Sequence, residues 1–185
     1  MDTTDRIILG IDPGTNVMGY GLIRQKGNSV ELITMGVLKL TRYDNHALKL
    51  KKIFERTLAI VDEYKPDELA IEAPFQGKNV QSMLKLGRAQ GVAIAAALYR
   101  DIPVFEYSPR KIKQSVTGSG AASKEQVAAM LQVILTHQQK TEYFDATDGL
   151  AAAVCHYLQR GNQGSGKSYT GWKAFLSDNP DKIKK

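Results

Sequence analysis

Two short apolar runs, each closed by an acid, limit the fold of this chain more than any other feature: Arg6-Ile-Ile-Leu-Gly-Ile-Asp12 and Glu68-Leu-Ala-Ile-Glu72. A nearly unbroken apolar run of this length suits a strand buried on both faces of a sheet, with helices above and below. Between the runs, from Asn45 onward, Leu48, Leu50, Ile53, Phe54, Leu58, Ile60 and Val61 make an apolar stripe at helical period, which Lys65-Pro66-Asp67 ends. A helical crossover of this kind joins neighbouring parallel strands. Asp12 and Glu72 are therefore expected at one edge of the same sheet, in an α/β fold.

The remaining elements fit around that unit. Asp12-Pro-Gly-Thr15 is turn chemistry, and residues 17–25 and 30–40 read as two further strands joined at Lys26-Gly-Asn-Ser29, with the glycines at 19 and 21 thinning one face. An alanine-rich helix is expected over roughly 80–100 and a strand over 104–107. A short helix follows the Ser108-Pro109 cap and stops at Gly118, and a capping box of Ser123 and Gln126 opens another through Leu135. The final helix is expected over 144–159. After Arg160 the composition turns to Gly, Ser, Asn and Lys, so residues 1–160 read as one domain and 161–185 as a flexible basic tail.

Charge narrows the class of partner. The 185 residues carry a net charge of +6, and the excess is uneven. Between positions 76 and 124, Lys78, Lys85, Arg88, Arg100, Arg110, Lys111, Lys113 and Lys124 stand against only Asp101 and Glu106. A polyanion fits such a stretch, and a solvated basic face is the plainer reading. The longest apolar stretch, Val92 to Tyr99, is far short of a bilayer span, and the acidic N-terminus is unlike a secretion signal. A lone cysteine, Cys155, makes no internal disulfide and, with three scattered histidines, no zinc set, so a reducing cytoplasmic setting is expected.

Asp145 and Asp148, three apart at the start of the last helix, project from one face of its first turn. If that turn meets the sheet edge, four acids converge. Clustered carboxylates raise one another's pKa unless cations neutralise them. Mg2+ suits the arrangement, because it takes a few carboxylates and leaves positions for water and phosphate oxygens, and two such ions can clamp a phosphodiester displacement. Each acid also has a structural reading: Asp12 as a turn former, Glu72 as a solvated strand end, Asp145 as a helix-dipole acid.

In these residues the chain resembles the RuvC-type Holliday junction resolvases, endonucleases of the RNase H-like superfamily. The resemblance spans roughly residues 6–160 and rests on Gly10-Ile-Asp-Pro-Gly-Thr15 with Gly19-Tyr-Gly21, Ala70-Ile-Glu72 with Phe75 and Lys78-Asn79, Leu84-Lys-Leu-Gly87 with Gly91, and Asp145-Ala-Thr-Asp148. It implies a five-stranded mixed sheet flanked by helices, and a structure-specific endodeoxyribonuclease that resolves four-way DNA junctions by paired symmetric nicks in recombination and repair, leaving 5′-phosphate and 3′-hydroxyl ends. It makes Asp12, Glu72, Asp145 and Asp148 the catalytic tetrad for two Mg2+ per subunit, with Mn2+ as a substitute. Phe75 matches an aromatic that stacks on bases near the junction centre, where a packed core Phe is the alternative. Lys113 and Lys124 match lysines that meet DNA near the scissile phosphate, and Lys78 and Arg88 join the expected DNA-binding set. The resemblance also implies a homodimer and a RuvA-RuvB branch-migration partner. The small residues Gly87, Gly91, Ala93, Ala95, Ala96 and Ala97 suit either a helix contact with a second copy or packing on the chain's own sheet. Gly149 stands where the family pattern has alanine, a change expected to loosen the helix, and Pro74 stiffens the approach to Phe75.

Three features lead elsewhere. Residues 161–168 formally satisfy the phosphate-loop pattern but lack the strand before and helix after that it needs. Cys155 and His156 are helix neighbours that point apart, so they form no dyad, and Cys155 reads as core. His46 and His137 read as solvated. Among rival functions, an actin-like phosphotransferase needs two large lobes, for which the chain is too short. A junction binder without catalysis has no use for clustered acids.

Overall fold

The computed structural model describes residues 5–27, 29–74, 79–135 and 144–161. Strands β1 (Arg6–Asp12), β2 (Val17–Lys26) and β3 (Ser29–Lys39) form an antiparallel meander. Helix α1 (His46–Tyr64) then crosses over to β4 (Glu68–Glu72), which pairs parallel with β1, and α2 (Val80–Leu98) leads to β5 (Val104–Tyr107), parallel with β4. The sheet order is β3-β2-β1-β4-β5, the five-stranded mixed sheet expected. Helices α3 (Pro109–Thr117), α4 (Lys124–Ile134) and α5 (Phe144–Gly161) follow.

The two apolar strands are central, and their side chains alternate between two cores. Leu9, Ile11, Leu69 and Ile71 pack with α1 and α2 on one face, whereas Ile8 and Ala70 pack with α3, α4 and α5 on the other. By the same alternation Asp12 and Glu72 face the α5 side. Caps follow the sequence: Asn45 accepts from Ala47 N at 2.8 Å, Ser108 from Lys111 N at 3.2 Å, and Ser123 and Gln126 close their box reciprocally. Gly118 ends α3 at φ 80°, a conformation that costs an L side chain and costs glycine little.

Helix α5 lies unusually close to the sheet. A Cβ added at Gly21 would stand 2.6 Å from Leu150 Cα, and one at Gly10 would strike the Gly149 carbonyl oxygen and Ala153. Gly149 is itself pressed on the strands, since a Cβ there would stand 2.6 Å from Tyr20 Cα and 2.7 Å from Gly19. The expectation that Gly149 loosens the helix is corrected on this point: the hydrogen in place of a methyl is what lets the helix axis approach β1 and β2. Helix α2 divides its small residues. Ala89, Ala93 and Ala97 are buried on the chain's own sheet, while a Cβ added at Gly87 or Gly91 would meet open space, and both lie in line with the exposed Val80, Leu84 and Leu98.

Candidate active site

The register of β1 with β4 aligns Ile11 with Ile71, so Asp12 and Glu72 follow side by side at the carboxyl ends of the two central strands. Close seating of α5 brings Asp148 over the same edge. Asp12, Glu72 and Asp148 line one cavity of ≈ 290 Å³, walled by Pro109, Ile112 and Lys113 of α3, Lys124 and Val127 of α4, and Ala151. Asp145 occupies the first turn of α5, three residues before Asp148, and its side chain lies outside the described residues.

The electrostatics are those of an unfinished charge balance. Burial, then the negative charges of Asp12 and Asp148, push the Glu72 carboxyl up to about 8, against the smaller pull of Lys124 and Lys113. Lys124 Nζ donates to Asp148 Oδ2 at 2.5 Å, so an ammonium of the chain itself offsets one of these acids. Among the described residues no three acids, imidazoles or thiols close on a single ion position. The donor chemistry nonetheless suits a hard divalent cation: three carboxylates share one cavity, and a double positive charge there would lower the Glu72 pKa and relieve the repulsion. Asp12, Glu72 and Asp148 are the described residues that could hold it.

A second layer supports Glu72. Gln90 of α2 is buried, and its Nε2 donates to Glu106 Oε2 at 2.8 Å and to the Glu72 carbonyl at 3.4 Å, tying the ends of β4 and β5 together. At the far end of β4, Glu68 is met by Arg6, Arg160 and His156, whose Nε2 lies 2.9 Å from Glu68 Oε2 and whose Nδ1 lies 2.6 Å from the Tyr107 hydroxyl. Burial, with a smaller push from Arg6, lowers the His156 pKa to about 4, so the imidazole is neutral near pH 7. Neither Gln90 nor the His156 group is marked by a sequence motif; the polar side chains at 90 and 156 inside otherwise apolar, small-residue helix faces were the only signal.

Of the other expected site residues, Lys113 and Lys124 stand in the cavity wall. Arg88 is exposed on α2 and does not line that cavity. Phe75, Lys78, His137 and the tail, including most of the phosphate-loop pattern, lie outside the described residues. Cys155 is buried, as expected of a core residue. His46 departs from its solvated expectation, because its Nε2 is buried without a hydrogen-bond partner at the start of α1.

A five-stranded mixed sheet in this order, flanked by helices and carrying acids where its central parallel strands end, is the RNase H-like architecture. Within that class the chain belongs to the RuvC family: the model of "Crossover junction endodeoxyribonuclease RuvC" matches residues 8–156. It is 64% identical over 182 residues to the RuvC crossover junction endodeoxyribonuclease of Cytophaga hutchinsonii, covering 98% of this chain and 90% of the relative. The Bacteroides fragilis RuvC is 61% identical over 183 residues, covering 97% of each chain. Among solved structures, Thermus thermophilus RuvC in complex with Holliday junction substrate superposes with a TM-score of 0.78 at 29% identity, covering 88% of this chain and 98% of that one. Members of this family are metal-dependent nucleases. No helix among the described residues is long and apolar enough to cross a membrane.

Proposed function

We propose that this chain is a structure-specific endodeoxyribonuclease that cuts four-way DNA junctions by paired symmetric nicks, in recombination and repair. The observation that carries the reading is the single cavity holding Asp12, Glu72 and Asp148 with Lys113 and Lys124 on its rim: acids for cations, cations for phosphate. Asp12, Glu72, Asp145 and Asp148 would hold two Mg2+ ions, for which Mn2+ can substitute. Bound there, the ions supply charge neutralisation and an activated water for in-line attack on phosphorus. Asp12, at the carboxyl end of β1, would contribute its carboxylate to both ions. Lys113 and Lys124, in the cavity wall, meet the DNA near the scissile phosphate. Phe75 and Lys78, on the segment after Glu72, and Arg88 on α2 complete the DNA contacts.

Two nicks related by symmetry call for two active sites, so the working form is a homodimer. The exposed line of Val80, Leu84, Gly87, Gly91 and Leu98 on α2 supports this, since a second helix can approach closely over the glycines. The setting is the cytoplasm, with a RuvA-RuvB branch-migration complex as partner. The test is a synthetic four-way junction incubated with and without Mg2+, with the nicks mapped at nucleotide resolution. Paired nicks that need the ion, and that vanish with Asp12→Asn while junction binding persists, are the expected result. Cleavage at the wild-type rate by Asp12→Asn would remove the assignment of Asp12.

A further inference from the structure

The acids open on a second side. A groove of ≈ 240 Å³ lined by Asp12, Pro13, Gly14, Glu72, Ala73 and Leu86 leaves the sheet edge away from Lys113 and Lys124 and reaches the second turn of α2. That turn carries the exposed Lys85 and Arg88. Their charges bear on His46 at the first position of α1, as does that of Lys49 three residues further on. Helix α1 starts at this same edge, because Leu40, just after β3, donates to the Asn16 carbonyl at 2.8 Å in the turn that follows Asp12.

Nothing local balances these cations. The first turns of α1 and α2 hold no acid, and Lys49, Lys85 and Arg88 have no ion pair among the described residues. The His46 ring stands among them at the first position of α1. A cluster of like charges with no acid paired to it suits an anion.

We propose that Lys85 and Arg88 of α2 with Lys49 of α1 form a binding site for the backbone phosphates of a DNA duplex arm, reached from the acids along the second groove. This rests on the nuclease reading and adds the path of the substrate. A strand held by Lys113 and Lys124 on one side of the edge crosses the acids and continues over α2 to the start of α1. Arg88 offers a two-pronged donor fork and the lysines offer point charges.

The test is the salt dependence of binding, measured in EDTA so that no cleavage occurs. The logarithm of the binding constant for a four-way junction is followed against the logarithm of salt concentration, for wild type and for the triple variant Lys49→Gln, Lys85→Gln, Arg88→Gln. Each lost phosphate contact flattens the slope by about 0.9, so a slope shallower by about 2 to 3 and binding weakened at least about tenfold are expected. Lys51→Gln, on the same helix but paired with Glu55, should leave the slope as it is. A triple variant with the wild-type slope overturns the site, whether its affinity is unchanged or reduced. If wild type binds a plain duplex as well as a junction, the junction-specific reading fails instead, and the slopes measured on that duplex still decide the site.

Discussion

Glu68 and Glu72 stand four residues apart on one strand and face the same side of the sheet, yet the protein treats them in opposite ways. Glu68 is provided with Arg6, Arg160 and His156, so its charge is answered within the fold. Glu72 is placed in a cavity against Asp12 and Asp148, and burial with those charges raises it to about 8. One end of β4 is finished by folding. The other gathers three acids in one cavity with the Lys124 ammonium on Asp148, and this difference sets a carboxylate answered within the fold apart from one that lines a cavity more clearly than residue type or strand position does.

The comparison can be broken most sharply at the edge where the acids gather. Asp12→Asn removes a ligand charge and is expected to slow junction cleavage by about a thousandfold or more, the several kcal/mol a bound ion supplies, with binding retained in gel-shift titration. Glu68→Ala strikes the finished end. It leaves Arg160 and His156 without their shared carboxylate and should cost about 3 kcal/mol of stability in urea unfolding, a loss in line with breaking a partly buried ion pair.

Glu72→Gln should do the reverse in metal-free protein. A carboxyl whose pKa rises on folding holds its proton more tightly in the folded state. Stability is therefore greatest below about 4.5 and falls as pH climbs toward about 8. The variant should lack that decline and be more stable than wild type by about 2 kcal/mol at pH 8 in EDTA, read from urea midpoints at pH 5 and pH 8. Equal midpoint shifts in both proteins would mean that Glu72 is not the group under strain. The smallest effect is thermal: Mg2+ at about ten times its dissociation constant should raise the wild-type melting temperature by about 3–5 °C and that of Asp12→Asn by less than about 1 °C.

Much of this was readable from the chain alone. Apolar runs and turns marked all five strands, the change of period after Asn45 and the caps at Ser108 and Ser123 marked helix starts, and acids closing two parallel strands marked the candidate site. Local signals sufficed there because each depends on a few consecutive residues. What escaped depends on separation in sequence. Gly149 looks like a weak helix residue until it is set against Tyr20, and its value lies wholly in that approach. Glu68 and His156 are 88 residues apart, and no spacing rule links them. His46 carries no neighbouring pattern either; its surroundings come from α2, a separate helix.

Helix α5 also works as a ruler. It bears Asp148 near its start and Gln159 near its end, eleven residues on, or about 17 Å along a straight α-helical axis. Its first turns are clamped to β1 and β2 by glycine contacts, and its last turns are tied to the base of β4 through His156 and Arg160. A fluorophore or spin label at position 159 would thus report at a fixed remove from Asp148 and the acid cavity, reading out ion arrival or substrate docking at a distance from both.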